Sequence, residues 1–136
     1  MDLTEYISKE TLEQTLLSLW KDSPATGTYQ KEHTLGTQLK ILARKQIIDT
    51  KAEIHDQEGD LWFCLEGSAT FVLGGTLKNP TTFVATTNTT LASGIEGGKT
   101  ILLHKGDWLY IPPKQAHQHT EPIEATLLII KIPSKG

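Results

Sequence analysis

The first apolar pattern in the chain has helical periodicity and lies in SKETLEQTLLSLW, residues 8–20. Ser8 suits the N-cap of a helix, and Glu10 falls in the first turn, where the helix dipole favours a carboxylate. The apolar positions spaced along one helix face are Leu12, Leu16, Leu19 and Trp20. This pattern predicts one short helix that ends before Pro24 and packs against the outside of a β-structure.

After Pro24 the apolar residues occur in short runs separated by turn residues, a pattern typical of strands. The runs are TQLKILARKQII, DLWFCLEGSATFVLGG, TTFVATTNTTL, KTILLHKGDWLYIPP and ATLLIIKIP. We interpret the second run as two strands meeting at Glu66-Gly67, and the fourth as a hairpin that turns at residues 105–107. The Thr-rich segment 76–90 is expected to be an edge strand or a loop over one end. Such repeated short strands predict an all-β sandwich or barrel.

The length of 136 residues suits one domain with a core of its own. We expect residues 1–24 to form a helical extension and residues 25–136 to form a single barrel domain.

The net charge of −3 comes without a run of Lys and Arg, so neither nucleic acid nor an anionic membrane is an expected partner. Cys64 is the single cysteine and cannot form an internal disulfide, which favours a cytoplasmic location.

The stretch AEIHDQEGDLWFCLEG, residues 52–67, places one histidine among carboxylates at the start of an apolar strand. Alternate residues of a strand share a face, so Glu53 and His55 point the same way. Gly59 predicts a tight turn that folds Asp60 back toward His55 from an adjacent strand. Imidazole and carboxylate groups suit divalent transition metals. Alternatively, Glu53 points outward and pairs with a surface lysine.

A second group of candidate residues lies in GDWLYIPPKQAHQH, residues 106–119. His117 follows a rigid pair of prolines and is a candidate ligand to the same metal. If Glu53 is not a ligand, His55, Asp60 and His117 still form a set that suits non-haem iron. Strand parity with Asp60 or with His117 predicts that a ligand pocket beside the metal is lined by Trp62, Cys64, Gln115 and His119.

The second segment resembles one of the two motifs of the cupin superfamily. That motif is a glycine, five residues, P-x-G, two residues, H, three residues and N. Gly106, Pro112 and His117 keep its spacing, whereas its internal glycine is Lys114 and its final asparagine is Glu121.

The first segment resembles the other cupin motif, in which H-x-H is followed after three or four residues by E and after six more by G. Anchored at Gly67, this motif places Asp60 on the glutamate, and His55 and Glu53 on the two histidines. An alternative alignment starts at His55 and takes Gln57 as the second ligand, but it leaves only two residues before Asp60.

The resemblance extends over about residues 38–133, and the chain is similar to small single-domain cupins of mostly unassigned function. It implies an all-β fold, the cupin double-stranded β-helix or jelly-roll barrel, with a short N-terminal helix. It also implies one divalent transition-metal ion (Fe, Mn, Ni or Zn) held by Glu53, His55, Asp60 and His117. A pocket beside the ion would take a small organic molecule.

The resemblance leaves the activity open. Metal-dependent isomerisation, decarboxylation and dioxygenation are all compatible with it. The alternatives are a non-catalytic ligand-binding or sensor module, and a metal-free structural barrel. A homodimer is also expected, because Leu61, Phe63 and Leu65 would form an apolar row on the outer face of the barrel. Alternatively, the N-terminal helix covers that row within one chain.

Overall fold

The computed structural model of the chain describes residues 4–134. This part of the chain contains one helix, α1 (Lys9–Trp20), and nine strands. In chain order the strands are β1 (Tyr29–Leu35), β2 (Leu39–Ile47), β3 (Ala52–His55), β4 (Glu58–Leu73), β5 (Thr76–Val84), β6 (Thr89–Glu96), β7 (Lys99–His104), β8 (Trp108–Ile111) and β9 (His117–Pro133). The predicted all-β fold with a short N-terminal helix is confirmed.

The long strands β4 and β9 form the frame of the barrel. They pair antiparallel from Glu58 opposite Pro133 to Leu73 opposite His117. On one side the strand order runs β1-β2-β9-β3-β6-β5, which leaves β5 at an edge, as predicted for the Thr-rich segment. All described strand pairings are antiparallel.

The predicted division of the second run into two strands is wrong, because β4 is continuous through Glu66-Gly67. A register shift against β9 occurs there instead. Gly67 has a φ of +74°, and a Cβ at this position would collide with the Glu124 carbonyl. A glycine therefore lets β4 bend through an irregularity without ending.

The predicted hairpin in the fourth run is also wrong, although the turn at residues 105–107 is present. Asp107 donates its backbone N–H to the His104 carbonyl at 2.9 Å across that turn. β7 and β8 then pair with different parts of β4, residues 68–73 and residues 60–63. The turn thus carries the chain from one segment of β4 to another.

Two groups of apolar side chains stabilise the structure. The interior of the barrel is filled mainly by Leu42, Trp62, Cys64, Ala69, Phe71, Leu73, Leu103, Ile111, Ala125, Leu127 and Ile129. On the outside of β2, α1 packs around Leu19, Ile41 and Ala43. Ser8 caps α1 by accepting from the backbone N–H of Thr11 at 3.0 Å, as predicted.

The helix is attached to the barrel by hydrogen bonds as well as by apolar contact. The Trp20 indole donates to the Thr126 hydroxyl at 2.8 Å.

Nothing between residues 4 and 134 forms a helix that is long and apolar enough to cross a membrane. The division of the chain after residue 24 and the cytoplasmic location stay predictions.

Candidate metal centre and adjoining cavity

Four side chains converge at one end of the barrel interior. The His55 Nε2 atom lies 3.1 Å from Glu53 Oε2 and 3.4 Å from Asp60 Oδ2. The His117 Nε2 atom lies 3.4 Å from Asp60 Oδ2 and 3.9 Å from Glu53 Oε2. The structure therefore brings together the residues that the two sequence motifs placed in one ligand set.

These residues belong to strands of the barrel wall, and their side chains meet in the interior. Glu53 of β3 pairs directly with His117 at the start of β9. Asp60 comes from β4, which pairs with β7, β8 and β9, whereas β3 pairs with β6 and β9. The prediction that Asp60 reaches His55 from an adjacent strand is therefore wrong, since the two side chains meet across the interior.

Gly59 is a strand residue of β4 and not the turn residue that the sequence indicated. The connection between β3 and β4 consists of residues 56–57. A Cβ at Gly59 would lie 2.6 Å from the Tyr110 hydroxyl, so a larger residue here would displace the half-exposed Tyr110 ring. Gln57, the second ligand of the alternative alignment, is exposed and accepts a hydrogen bond from Asn88 at 3.0 Å.

Hydrogen bonds to the outer nitrogens define which nitrogen of each imidazole faces the site. The Nδ1 of His117 lies 3.1 Å from the Gln115 carbonyl, which can only accept, so His117 donates from Nδ1. The Nδ1 of His55 lies 2.8 Å from the Thr89 hydroxyl, which itself donates to the Thr87 carbonyl. His55 therefore also donates from Nδ1, and when neutral both imidazoles present the Nε2 lone pair to the carboxylates.

The arrangement fits a divalent cation. Asp60 is 1% exposed, and its Oδ2 has no hydrogen-bond partner in the described part of the chain. Ligand atoms about 2.0–2.2 Å from one ion lie roughly 2.9–3.5 Å from their neighbours. Three of the four imidazole–carboxylate separations, 3.1–3.4 Å, fall in this range, and one atom each of Glu53, His55 and His117 lies within 4.8 Å of the other two. Two carboxylates also offset the charge of a divalent ion, so the donor set suits one on charge as well as on spacing.

Lys131 is a part of the site that the sequence motifs missed. Its Nζ lies 2.7 Å from Asp60 Oδ1 and 3.4 Å from His55 Nε2. Lys131 therefore holds one carboxylate oxygen of Asp60 and leaves the other free for a cation. The signal in the sequence was a lone charged residue within the apolar run ATLLIIKIP.

Comparison with solved structures identifies the fold. The chain is similar to the cupin domain of Drosophila melanogaster CENP-C, with 12% identity and a TM-score of 0.56 over 92% of this chain and 99% of that chain. It is also similar to a Klebsiella pneumoniae protein with a double-stranded β-helix domain, with 14% identity and a TM-score of 0.50 over 82% and 83% of the two chains. The chain has the cupin fold.

The cupin fold also relates the chain to part of a larger protein. YcfD, a ribosomal oxygenase from Escherichia coli, is similar with 17% identity and a TM-score of 0.50, over 72% of this chain and 23% of that chain. No protein-family model and no curated protein matches the sequence. At identities of 12–17% these likenesses establish the fold alone.

A cavity of about 550 Å³ lies beside the candidate metal ligands. Its wall includes Glu53, Asp60 and His117 together with residues of β1 and β2 on the far side. Among the side chains that line it are Leu42, Arg44, Trp62, Gln118, His119, Ile129 and Lys131. Its volume is typical of sites for small organic molecules.

Two of the four predicted pocket residues line this cavity. Trp62 and His119 do so, and their ring centroids are 4.9 Å apart. Cys64 has the predicted parity but lies deeper in the core, with its thiol 3.3 Å from the Glu66 carbonyl. Gln115 precedes β9 and is outside the cavity lining, where Gln118 is found instead.

A buried network lies next to the cavity at the position where the cupin motif has asparagine. Glu121 is 0% exposed and accepts hydrogen bonds from His119 Nδ1 at 2.6 Å and from Arg44 Nε. Burial raises the pKa of Glu121, but the interactions with His119 and Arg44 lower it by more, so that the pKa lies below its usual value. The carboxylate is therefore held ionised inside the barrel.

The metal-free site binds a proton where a metal ion would sit. Burial lowers the pKa of His55, but its interactions with the carboxylates of Asp60 and Glu53 outweigh burial and raise that pKa to about 9. Burial raises the pKa of Asp60, and interactions with His55 and Lys131 lower it overall. At neutral pH His55 is thus protonated between two carboxylates, and a metal ion must displace that proton.

We expect divalent-metal affinity to rise with pH up to about 9, by up to about tenfold per unit between pH 7 and pH 9. The reason is that an imidazole binds metal in its neutral form, and the raised pKa of His55 keeps it protonated below pH 9. Titration calorimetry in buffers of different ionisation enthalpy should show about one proton released per zinc at pH 7. An affinity that stops rising above pH ~6.5, as for an unperturbed histidine, would contradict this prediction.

Proposed function

We propose that this cupin holds one divalent transition-metal ion between Glu53, His55, Asp60 and His117. Two imidazole Nε2 atoms and two carboxylates directed at one point carry this proposal, because the carboxylate oxygens lie 3.1–3.9 Å from the imidazole nitrogens and a divalent ion there would take the place of the proton on His55. The donor set suits iron, manganese, nickel or zinc. The four ligand assignments stay predictions.

The chain supports such an ion through partners of its ligands. The Gln115 carbonyl and the Thr89 hydroxyl fix the two imidazoles, and Lys131 fixes the carboxylate of Asp60. Outer partners of this kind set ligand orientation and strengthen metal binding. When bound, the ion would supply a Lewis acid at the edge of the 550 Å³ cavity.

We further propose that the cavity takes a small organic molecule next to the metal. Metal-dependent isomerisation, decarboxylation and dioxygenation are the activities to be screened. A non-catalytic binding module is the second candidate, because the cupin fold is found both in a ribosomal oxygenase and in the CENP-C domain. Turnover of a bound molecule, or its unchanged release, distinguishes these two functions.

The metal proposal is tested by elemental analysis of protein purified without a His-tag. The protein is incubated in turn with iron(II), manganese(II), nickel(II) and zinc(II) and then dialysed. We expect about one equivalent of at least one metal to remain, because one ligand set of two imidazoles and two carboxylates is present. Retention of none of the four metals would overturn the proposal and favour a metal-free barrel in which Lys131 is the resident cation.

We also propose that this cupin forms a homodimer through the outer face of β4 and β8. Phe63 packs against Trp108, with ring centroids 4.3 Å apart, and Trp108 and Tyr110 are 59% and 50% exposed. The helix covers only the Leu65 end of this face. The aromatic surface that remains is therefore available to a second copy.

We expect light scattering of the wild type to give about 30 kDa, twice the 15.0 kDa chain. Trp108→Lys should yield the monomer, because an ammonium group would be buried in the apolar contact. Leu17→Lys is the control, since Leu17 is 76% exposed and lies on α1 and not on β4 or β8. A wild type that scatters as a single chain at micromolar concentration would refute the dimer.

A further inference from the structure

Side chains inside the cupin barrel lie in successive layers along β4 and β9. Asp60 and His117 belong to the layer of candidate metal ligands. Two residues further along the same strands are Trp62 and His119, whose ring centroids are 4.9 Å apart. A two-residue step advances about 6.6–6.8 Å along a strand. A molecule that contacts the metal with one end therefore meets Trp62 and His119 next.

The second layer contains a buried donor without a partner. Trp62 is 4% exposed, and its Nε1 makes no hydrogen bond within residues 4–134. An indole N–H can only donate, and a buried N–H without an acceptor costs free energy. Trp62 lines the cavity, so a ligand that brings an acceptor into this layer would satisfy it.

Arg44 supplies further donors at the same cavity. Its Nε donates to Glu121 and its Nη1 donates to Gln30 at 3.0 Å, and in the described part of the chain its guanidinium makes no other hydrogen bond. A guanidinium carries five N–H donors, so several remain for a ligand. Glu121 is fully buried and held by His119, which keeps Arg44 in a defined orientation.

Charge along the cavity wall favours an anion. If a divalent ion offsets Glu53 and Asp60, the remaining acidic side chains at the cavity are Glu32 and Asp49 of the lining and the ionised Glu121 that is paired with Arg44. The basic side chains of the lining are Lys40, Arg44, Lys51 and Lys131. Leu42 and Ile129 add apolar side chains to the lining, which suits a hydrocarbon body.

We propose that the cavity binds a small organic acid, with its carboxylate on Arg44 and Trp62 and its other end on the metal. Groups that only donate hydrogen bonds select a group that only accepts them, and a guanidinium matches a carboxylate in shape and charge. The inference deepens the proposed function and rests on it for the metal-bound end. It names the ligand class as an organic acid long enough to span the two layers.

The test uses three diacids of increasing length, glutarate, adipate and pimelate, each beside its diamide, which has no carboxylate. Titration calorimetry on the zinc-loaded protein should show at least one diacid binding about tenfold or more tightly than its diamide, because an amide cannot accept a charge-assisted fork. Equal affinity of all three diacids and their diamides would overturn the proposal.

Variants identify the residues that bind the carboxylate. Arg44→Lys keeps a cation for Glu121 and should weaken diacid binding about tenfold, while diamide binding changes less than about threefold. Trp62→Phe replaces the indole with a smaller aromatic ring that has no N–H, and it should also weaken diacid binding. Lys40→Gln removes another cation of the lining and serves as the control. An effect of Arg44→Lys no larger than that of Lys40→Gln would overturn the assignment.

Zinc content, measured on every variant, separates failure of this inference from failure of the metal proposal. If zinc is retained and diacid affinity does not depend on Arg44, the carboxylate site is overturned and the metal proposal stands. Diacids that bind through Arg44 to a protein that retains no zinc overturn the metal-bound end and support the carboxylate site.

Discussion

Replacing His117 by alanine is expected to lower divalent-metal affinity by at least about 100-fold while the barrel still folds. His117 Nε2 lies 3.4 Å from Asp60 and 3.9 Å from Glu53, so its loss removes one of four converging donors and opens the site to water. His55→Ala should have an effect of the same size. Titration with zinc and elemental analysis after dialysis measure the loss, and circular dichroism verifies the β-structure.

Two further substitutions make this metal experiment specific. Glu53→Gln should weaken binding less than His117→Ala, because glutamine keeps an oxygen donor and loses only the charge. Gln57→Ala is the control, since Gln57 is exposed and bonded to Asn88 outside the site. Loss of metal in Gln57→Ala with retention in Glu53→Gln would reject the ligand set and favour the alternative alignment of the motif.

Replacing Arg44 by methionine is expected to lower the free energy of unfolding by roughly 3–5 kcal/mol. Glu121 is 0% exposed and ionised, and Arg44 is the cation that contacts it. Within residues 4–134, removal of Arg44 leaves the buried carboxylate bonded only to the neighbouring His119, and an uncompensated buried charge is costly. Urea unfolding followed by circular dichroism gives the difference in free energy.

The double variant Arg44→Met, Glu121→Leu should recover most of this stability, because apolar residues of similar volume replace a buried ion pair at little net cost. Lys9→Met is the matched control, since Lys9 and Glu13 form an ion pair at 3.7 Å with side chains 89% and 59% exposed. It should change stability little. A double variant as unstable as Arg44→Met would show that packing, and not the unpaired charge, causes the loss.

Local sequence patterns determined the elements and the faces of this protein. The Ser8 cap and the apolar spacing of α1 depend on residues within a few positions of one another, so the helix was predictable. The alternation that places Asp60, Trp62 and Cys64 on the interior face of β4 is likewise a property of one strand. Motif spacing was sufficient to name the residues that the structure brings together at the candidate metal centre.

Contacts between distant strands were decided only by the tertiary structure. Lys131 meets Asp60 because residues 71 positions apart are opposite each other in the β4–β9 register, and Arg44 meets Glu121 across 77 positions. The course of β4 past Gly67 also depends on the Glu124 carbonyl of β9. Sequence periodicity sets which face a side chain takes, whereas register and barrel closure set which distant residue it meets there.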